Sequence, residues 1–99
     1  IKGYPVTIND AAMVKVVENA AATVLGEGRY LDAPTPIMGS EDFSYVLQRV
    51  PGAMMGLGLC PDGYDNPYAA PSLHSNRAML NEAGLPVGVA MHAAVAMAR

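Results

Sequence analysis

This sequence has few of the features needed for cross-linking, nucleic-acid binding or membrane insertion. A single cysteine, Cys60, excludes an internal disulfide and is compatible with a reducing compartment. Six Lys and Arg against nine Asp and Glu give a net charge of −3 without a basic run, which argues against a nucleic-acid or anionic-membrane partner. No segment has a signal-peptide pattern, and apolar residues 85–98 fall short of the roughly 20 residues that span a bilayer. We therefore expect a cytoplasmic protein with neither nucleic acid nor membrane as its partner.

Charge is scarce and apolar residues are abundant. Charged residues make up 15% and apolar residues 52% of the 99 residues, whereas about a quarter of an average chain is charged. Such a chain either packs tightly or has apolar faces that another part of a protein normally covers. We favour the second interpretation, because the sequence begins without Met on residues 1–6 (IKGYPV), a pattern typical of an interrupted strand.

Caps and apolar spacing predict three helices. Residues 9–10 (Asn-Asp) offer an N-cap for the first, whose apolar positions recur at helical spacing up to a stop at Gly26. A short second helix follows Ser40, which can cap it, and ends at residues 51–52 (Pro-Gly). The third begins between residues 82 and 86 and runs to the end of the chain. Its almost uniformly apolar sequence predicts burial on most sides.

Residues 53–60 (AMMGLGLC) predict a buried strand. The larger side chains point one way, and Gly56 and Gly58 leave the opposite face almost bare, which is costly unless another backbone or a ligand comes close. Residues 29–38 contain two prolines and predict only a short or edge strand. The order of strand end, helix, short strand, helix, strand, loop and helix predicts an α/β fold with too few strands for a complete sheet.

Few side chains are candidates for chemistry. His74 lies in a loop after a strand, where ligands are often placed, but taken alone it is more readily interpreted as a surface histidine than as a metal ligand. His92, in the apolar helix, is interpreted as a packed histidine or one that faces a wet edge of the helix. Glu41 and Asp42 precede a helix, where they compensate the helix dipole or serve a site. Nothing in the sequence completes a local metal site, since a structural zinc site needs four ligands.

Several short blocks taken in order resemble one family. They are residues 3–10 (GYPVTIND), 38–44 (MGSEDFS), 51–53 (PGA) leading to 57–58 (LG), 73–75 (LHS), 81–82 (NE) and 85–88 (LPVG). This series resembles the C-terminal segment of the aminoacylase-type metallopeptidases. More narrowly, it is similar to the branch of hippurate hydrolases, N-acyl-amino-acid amidohydrolases and plant auxin-conjugate hydrolases.

The resemblance implies a place for this chain within a larger enzyme. It implies the C-terminal portion of a mixed α/β zinc-peptidase-like catalytic domain, incomplete on its own. Residues 1–8 correspond to the end of an inserted lid domain and its hinge, and residues 9–99 to the catalytic domain. His74 corresponds to the last metal ligand, and Ser40 and Glu41 border the substrate cleft. Asn76 stands where the family usually has a proline, so the backbone after His74 is less constrained.

The same resemblance implies a reaction. Two divalent metal ions (zinc, manganese, cobalt or nickel) activate a water that hydrolyses the amide bond of a small-molecule N-acyl amino acid, with a glutamate upstream as general base. No catalytic residue lies within this chain, which is expected to be inactive and metal-free alone, and the full-length protein is expected to be a homo-oligomer. Two alternatives stay open: a dipeptidase or carboxypeptidase of the same family, and a non-catalytic packing or interaction module.

Overall fold

The structure, a computed structural model, describes residues 3–98. Ile1 and Lys2, where the interrupted strand is predicted to begin, lie outside the described residues, as does Arg99. The chain folds into three α-helices, α1 (Ala11–Leu25), α2 (Phe43–Leu47) and α3 (Leu85–Met97). Two short 3₁₀ helices, Pro67–Ala69 and Glu82–Gly84, precede α3.

The predicted ends of α1 are confirmed. A side-chain oxygen of Asp10 accepts a hydrogen bond from the Met13 amide (3.0 Å) at the first turn. At the other end, Gly26 adopts a φ of 89°, and its amide donates to the Ala22 carbonyl (3.0 Å). A residue with a Cβ is strained at that φ, which is why glycine ends the helix. Local chemistry is therefore sufficient to define this element.

The prediction that Ser40 caps α2 is wrong. Asp42 occupies the cap position without a side-chain hydrogen bond, and the Glu41 carboxylate instead accepts from the Phe43 amide (3.1 Å). The Ser44 hydroxyl donates to the Glu41 carbonyl (2.6 Å), and Ser44 is fully buried. The longer Glu41 side chain reaches the amide of Phe43, two residues later in the chain. Ser40 has a shorter side chain and lies one residue further from the helix.

The start of α3 is as predicted, but its predicted burial is wrong. The helix begins at Leu85 with Pro86 in its first turn, after a 3₁₀ turn in which the Asn81 side chain accepts from the Ala83 amide (3.1 Å). None of the helix residues is buried, and Val89 and Met97 are 72% and 79% exposed. Within the described chain α1 is the helix that packs against α3, so it covers only part of an apolar surface.

The predicted strands are absent from residues 3–98, so the α/β prediction is not met within this chain. Within residues 3–98, no second strand runs alongside residues 53–60. Their hydrogen bonds lie near the two ends: the Asn9 side chain bonds to the Met54 carbonyl (3.1 Å) and amide (2.8 Å), and the Asn81 amide donates to the Leu59 carbonyl (3.0 Å). A strand requires a ladder with a second strand, and residues 29–38 likewise have none.

Residues 57–59 nevertheless lie closely against the start of α3. A Cβ built on Gly88 would lie 3.3 Å from Leu57 Cδ2, and one built on Gly84 would collide with Leu59 Cδ2. The two leucines therefore share a face, as predicted, and the two glycines leave room for them. On the other side, a Cβ at Gly56 or Gly58 would meet nothing within 4 Å.

Gly84→Ala is expected to destabilise the protein by about 1–3 kcal/mol, because the new methyl group forces Leu59 out of its position. Gly84 has a φ of −82°, which alanine adopts freely, so any loss reflects the collision rather than backbone strain. The measurement is the midpoint of chemical denaturation in the full-length protein. Gly3→Ala, which meets nothing within 4 Å, is the matched control. Equal midpoints for the two variants would contradict the proposed packing.

The described chain is open rather than closely packed. Its radius of gyration is 15.0 Å, against about 13 Å for a compact domain of 100 residues. Its buried residues are Ala20, Ala21 and Ser44, and large apolar side chains such as Leu31 (83% exposed) and Met38 (96%) lie on the surface. Among the described helices none combines the length and apolar character needed to cross a membrane.

Candidate metal ligand and cleft residues

His74 lies on a turn that serine hydroxyls hold in place. The Ser72 hydroxyl accepts from the His74 amide (3.3 Å), and the Ser75 hydroxyl accepts from the Arg77 amide (3.0 Å). A backbone hydrogen bond from the Ser75 amide to the Ser72 carbonyl (3.0 Å) closes the turn around His74. The residue is exposed and fixed through its backbone. Its imidazole therefore lies at the surface, where a ring nitrogen is accessible to a metal ion or another binding partner.

The loop that contains His74, residues 60–80, is closed at its base. The Asn81 amide donates to the Leu59 carbonyl (3.0 Å) directly across the two ends of the loop. Within the loop, the Asn66 side chain accepts from the Tyr68 amide (3.0 Å) and begins the 3₁₀ helix Pro67–Ala69. Short side-chain to backbone bonds of this kind order a segment that has no sheet or long helix of its own.

The two cleft candidates differ in how they are engaged. Glu41 is half-buried, and one of its carboxylate oxygens accepts from the Phe43 amide (3.1 Å). Among residues 3–98 its other oxygen has no hydrogen-bond partner, so capping leaves this oxygen able to accept from a ligand. Ser40 is exposed and precedes the turn that starts α2. A hydroxyl in this position can donate to or accept from a ligand without disturbing the helix.

His92 is exposed rather than packed, so the first of the two interpretations of this residue is wrong. It lines a groove of ≈340 Å³ between α1, residues 53–57 and α3, together with Arg29 and Tyr30. The Tyr30 hydroxyl donates to Asp32 (2.9 Å), and this bond raises the pKa of Tyr30, which stays neutral. Arg29 supplies fixed positive charge in the same groove, and that charge opposes a cation beside His92.

The described residues do not form a complete metal site. Within residues 3–98 no three His, Cys, Asp or Glu side chains come together so that they could hold a metal ion. His74 has the right chemistry for zinc or a related cation, but it supplies one ligand where a site needs several. A metal site that used His74 would need further ligands from outside residues 3–98.

Comparison with known proteins identifies the group to which these residues belong. The model of peptidase family M20/M25/M40 matches residues 1–98, which is nearly the whole chain. The chain belongs to this family. The aminoacylase-type resemblance seen in the sequence is thereby confirmed at the level of the family, while the hippurate hydrolase branch stays a prediction.

Curated relatives of this M20 chain are hydrolases of several kinds. An IAA-amino acid hydrolase of Arabidopsis thaliana is 37% identical over 93 residues, covering 94% of the chain and 20% of the relative. A probable hydrolase of Synechocystis is 36% identical, over 89% of the chain and 22% of the relative. An N-acetyldiaminopimelate deacetylase of Enterococcus faecalis is 38% identical, over 89% of the chain and 21% of the relative. The chain thus spans about a fifth of the length of these relatives. No solved structure gives a significant match.

One residue of the M20 chain was missed as a possible functional residue. Asn9 was interpreted only as a helix cap, yet its side-chain amide bonds to the backbone of Met54, 45 residues away. The sequence offers two neighbouring residues that can cap α1, and the Asp10 side chain alone makes the capping hydrogen bond. A second capping residue beside it was free for another role.

Proposed function

We propose that this chain is the C-terminal part of a metal-dependent M20 amidohydrolase that hydrolyses the amide bond of N-acyl amino acids. The observation that carries the proposal is the family match over residues 1–98, together with relatives named as an IAA-amino acid hydrolase and an N-acetyldiaminopimelate deacetylase. Both names describe removal of an acyl group from nitrogen. The small-molecule substrate class is inferred from that shared chemistry.

Residues 9–99 are assigned to the catalytic domain and residues 1–8 to the end of the lid domain and the hinge. An α/β fold for the complete domain is supported by residues 53–60. Their central backbone groups have no partner within the described chain, and their glycine face is open. Neighbouring strands supplied by the rest of the protein would satisfy those groups and complete a sheet.

His74 is assigned as the ligand that this chain gives to a site for two divalent metal ions, with zinc, manganese, cobalt and nickel as candidates. Its exposed imidazole on a turn fixed by Ser72 and Ser75 supports the assignment. Bound cations of this kind supply a water of lowered pKa as the nucleophile. The general base and the remaining ligands are assigned to residues upstream of this chain.

Ser40 and Glu41 are assigned to the substrate cleft. The exposed Ser40 hydroxyl and the unengaged Glu41 oxygen support this role, because both can bond to a ligand while α2 stays capped. These residues bind and orient and are not proposed to transfer protons. We also infer a cytoplasmic, homo-oligomeric full-length protein, the location from the single cysteine and the oligomer from the family resemblance.

The full-length protein is expected to release free amino acid from N-acetyl, N-benzoyl or IAA-amino acids, to lose that activity on chelation and to regain it with added zinc, manganese, cobalt or nickel. Liberated amine is the quantity to measure. Dipeptides with a free amino terminus form the comparison series, since faster cleavage of these identifies a dipeptidase instead. Folded, pure protein that hydrolyses neither series with any of the four metals would identify a non-catalytic module.

A further inference from the structure

The side chain of Asn9 replaces a strand neighbour. Its Nδ2 donates to the Met54 carbonyl (3.1 Å), and its Oδ1 accepts from the Met54 amide (2.8 Å). Both backbone groups of Met54 are thus satisfied by one amide, in the pattern that an adjacent strand would offer. A carboxylate or a hydroxyl of similar size cannot provide the same donor and acceptor pair in fixed positions.

Three further contacts converge on this point. The Asp10 amide donates to the Gly52 carbonyl (2.9 Å), and the Asp10 side chain caps α1. Earlier in the chain, the ring of Tyr4 meets Tyr45 of α2 edge-on with centroids 5.8 Å apart. The segment of residues 3–10 is therefore attached to α1, to α2 and to the residues that follow α2, and Asn9 makes the bidentate attachment.

We propose that Asn9 is a positioning residue that pins the hinge between the lid and catalytic parts by bonding to Met54. The inference rests on the proposed function for the assignment of residues 1–8 to the lid. If Asn9 is held, the preceding residues leave the catalytic part in one direction. A lid joined through these residues would then be attached to the catalytic part at a fixed point.

The Asn9→Asp variant tests the donor and the acceptor separately. At high pH its carboxylate keeps the acceptor but places a negative oxygen against the Met54 carbonyl oxygen. At low pH the neutral carboxylic acid restores a donor and an acceptor in the shape of the amide. The repulsion raises the pKa of the introduced carboxyl, because only its neutral form fits. The defect of this variant should therefore shrink as the pH falls.

In the full-length enzyme we expect kcat/KM of Asn9→Asp to be about tenfold or more below the parent near pH 8. The ratio to the parent should recover toward about pH 5. Asn9→Ala should stay low at every pH. Asp10 and Arg49 line the groove beside Asn9. The Asp10 carboxylate raises the pKa of the introduced carboxyl and the Arg49 guanidinium lowers it, so the pH at which the ratio recovers depends on both groups. Asn19→Asp adds the same charge on an exposed face of α1 and should behave as the parent.

Amide hydrogen exchange gives a readout that does not depend on activity. Exchange at the Met54 amide, which donates to Asn9, and at the Asp10 amide, which donates to Gly52, should accelerate in Asn9→Ala and not in Asn19→Asp. A pH-independent ratio for Asn9→Asp, parental kcat/KM for Asn9→Ala or unchanged exchange would each overturn the proposal. An inactive parent would refute the proposed amidohydrolase instead, and the exchange measurement alone would then decide whether Asn9 pins this segment.

Discussion

In the full-length protein, His74→Ala is expected to lose bound metal and turnover, whereas His92→Ala keeps both. His74 presents an exposed imidazole on an ordered turn, while His92 shares its groove with the positive charge of Arg29. Removing a residue that only supports a ligand lowers metal affinity or activity by about 10- to 100-fold. Loss of a direct ligand should exceed that range. The variants should therefore separate by more than about 100-fold in metal affinity.

Metal content after dialysis and turnover of an N-acyl amino acid should be measured on both variants and the parent. Because both substitutions replace an exposed histidine by alanine, each controls for the other in size and charge. Circular dichroism confirms that the two variants fold alike. Retention of metal and turnover by His74→Ala, with loss of metal from His92→Ala, would reverse the assignment.

The 99-residue chain alone is expected to self-associate and to bind a hydrophobic dye, without hydrolysing N-acyl amino acids. Large apolar side chains along residues 29–38 and α3 are exposed, and apolar patches larger than a few hundred Å² mediate association. Activity is expected to be absent because His74 is one ligand where a two-metal site needs several. Sedimentation, dye fluorescence and an amine-release assay with added metal measure the three properties.

Two results would contradict this expectation. A monomer that does not bind dye would show that the chain folds more compactly and covers its apolar residues. Metal-dependent turnover above that of the same chain carrying His74→Ala would show that these residues assemble a working site by themselves, for instance by association of several copies. The His74→Ala chain is a suitable control because it leaves the apolar surface unchanged.

The features that sequence predicted well are those decided by neighbouring residues. Asp10 and Gly26 end α1 through contacts within a single turn, and Pro86 starts α3 for the same reason. The strand over residues 53–60 was not met, because a strand depends on a partner that is distant in sequence. The prediction that α3 is buried failed for a similar reason. An apolar composition shows that a helix needs other residues packed against it, but not which part of the protein supplies them.

In the candidate site, too, the sequence predicts what neighbouring residues determine and misses what distant residues determine. The position of His74 in a loop was predictable, and the serines beside it explain how that loop is ordered. The sequence pattern predicts Ser40 as the cap of α2, but the longer Glu41 side chain accepts from the Phe43 amide instead. The bond between Asn9 and Met54 spans 45 residues. This bond could be found only in the folded structure, because the sequence around Asn9 looks the same whether Asn9 caps the helix or bonds to Met54.

The hydrogen bond between the Asn81 amide and the Leu59 carbonyl makes the length of the His74 loop nearly independent of the helices around it. Both ends of residues 60–80 meet at this bond, so insertions or deletions inside the loop need not shift α3. Closure entropy rises only by about 0.6 kcal/mol for each doubling of loop length. Variation in such a segment can therefore reshape the surroundings of His74 at small cost in stability.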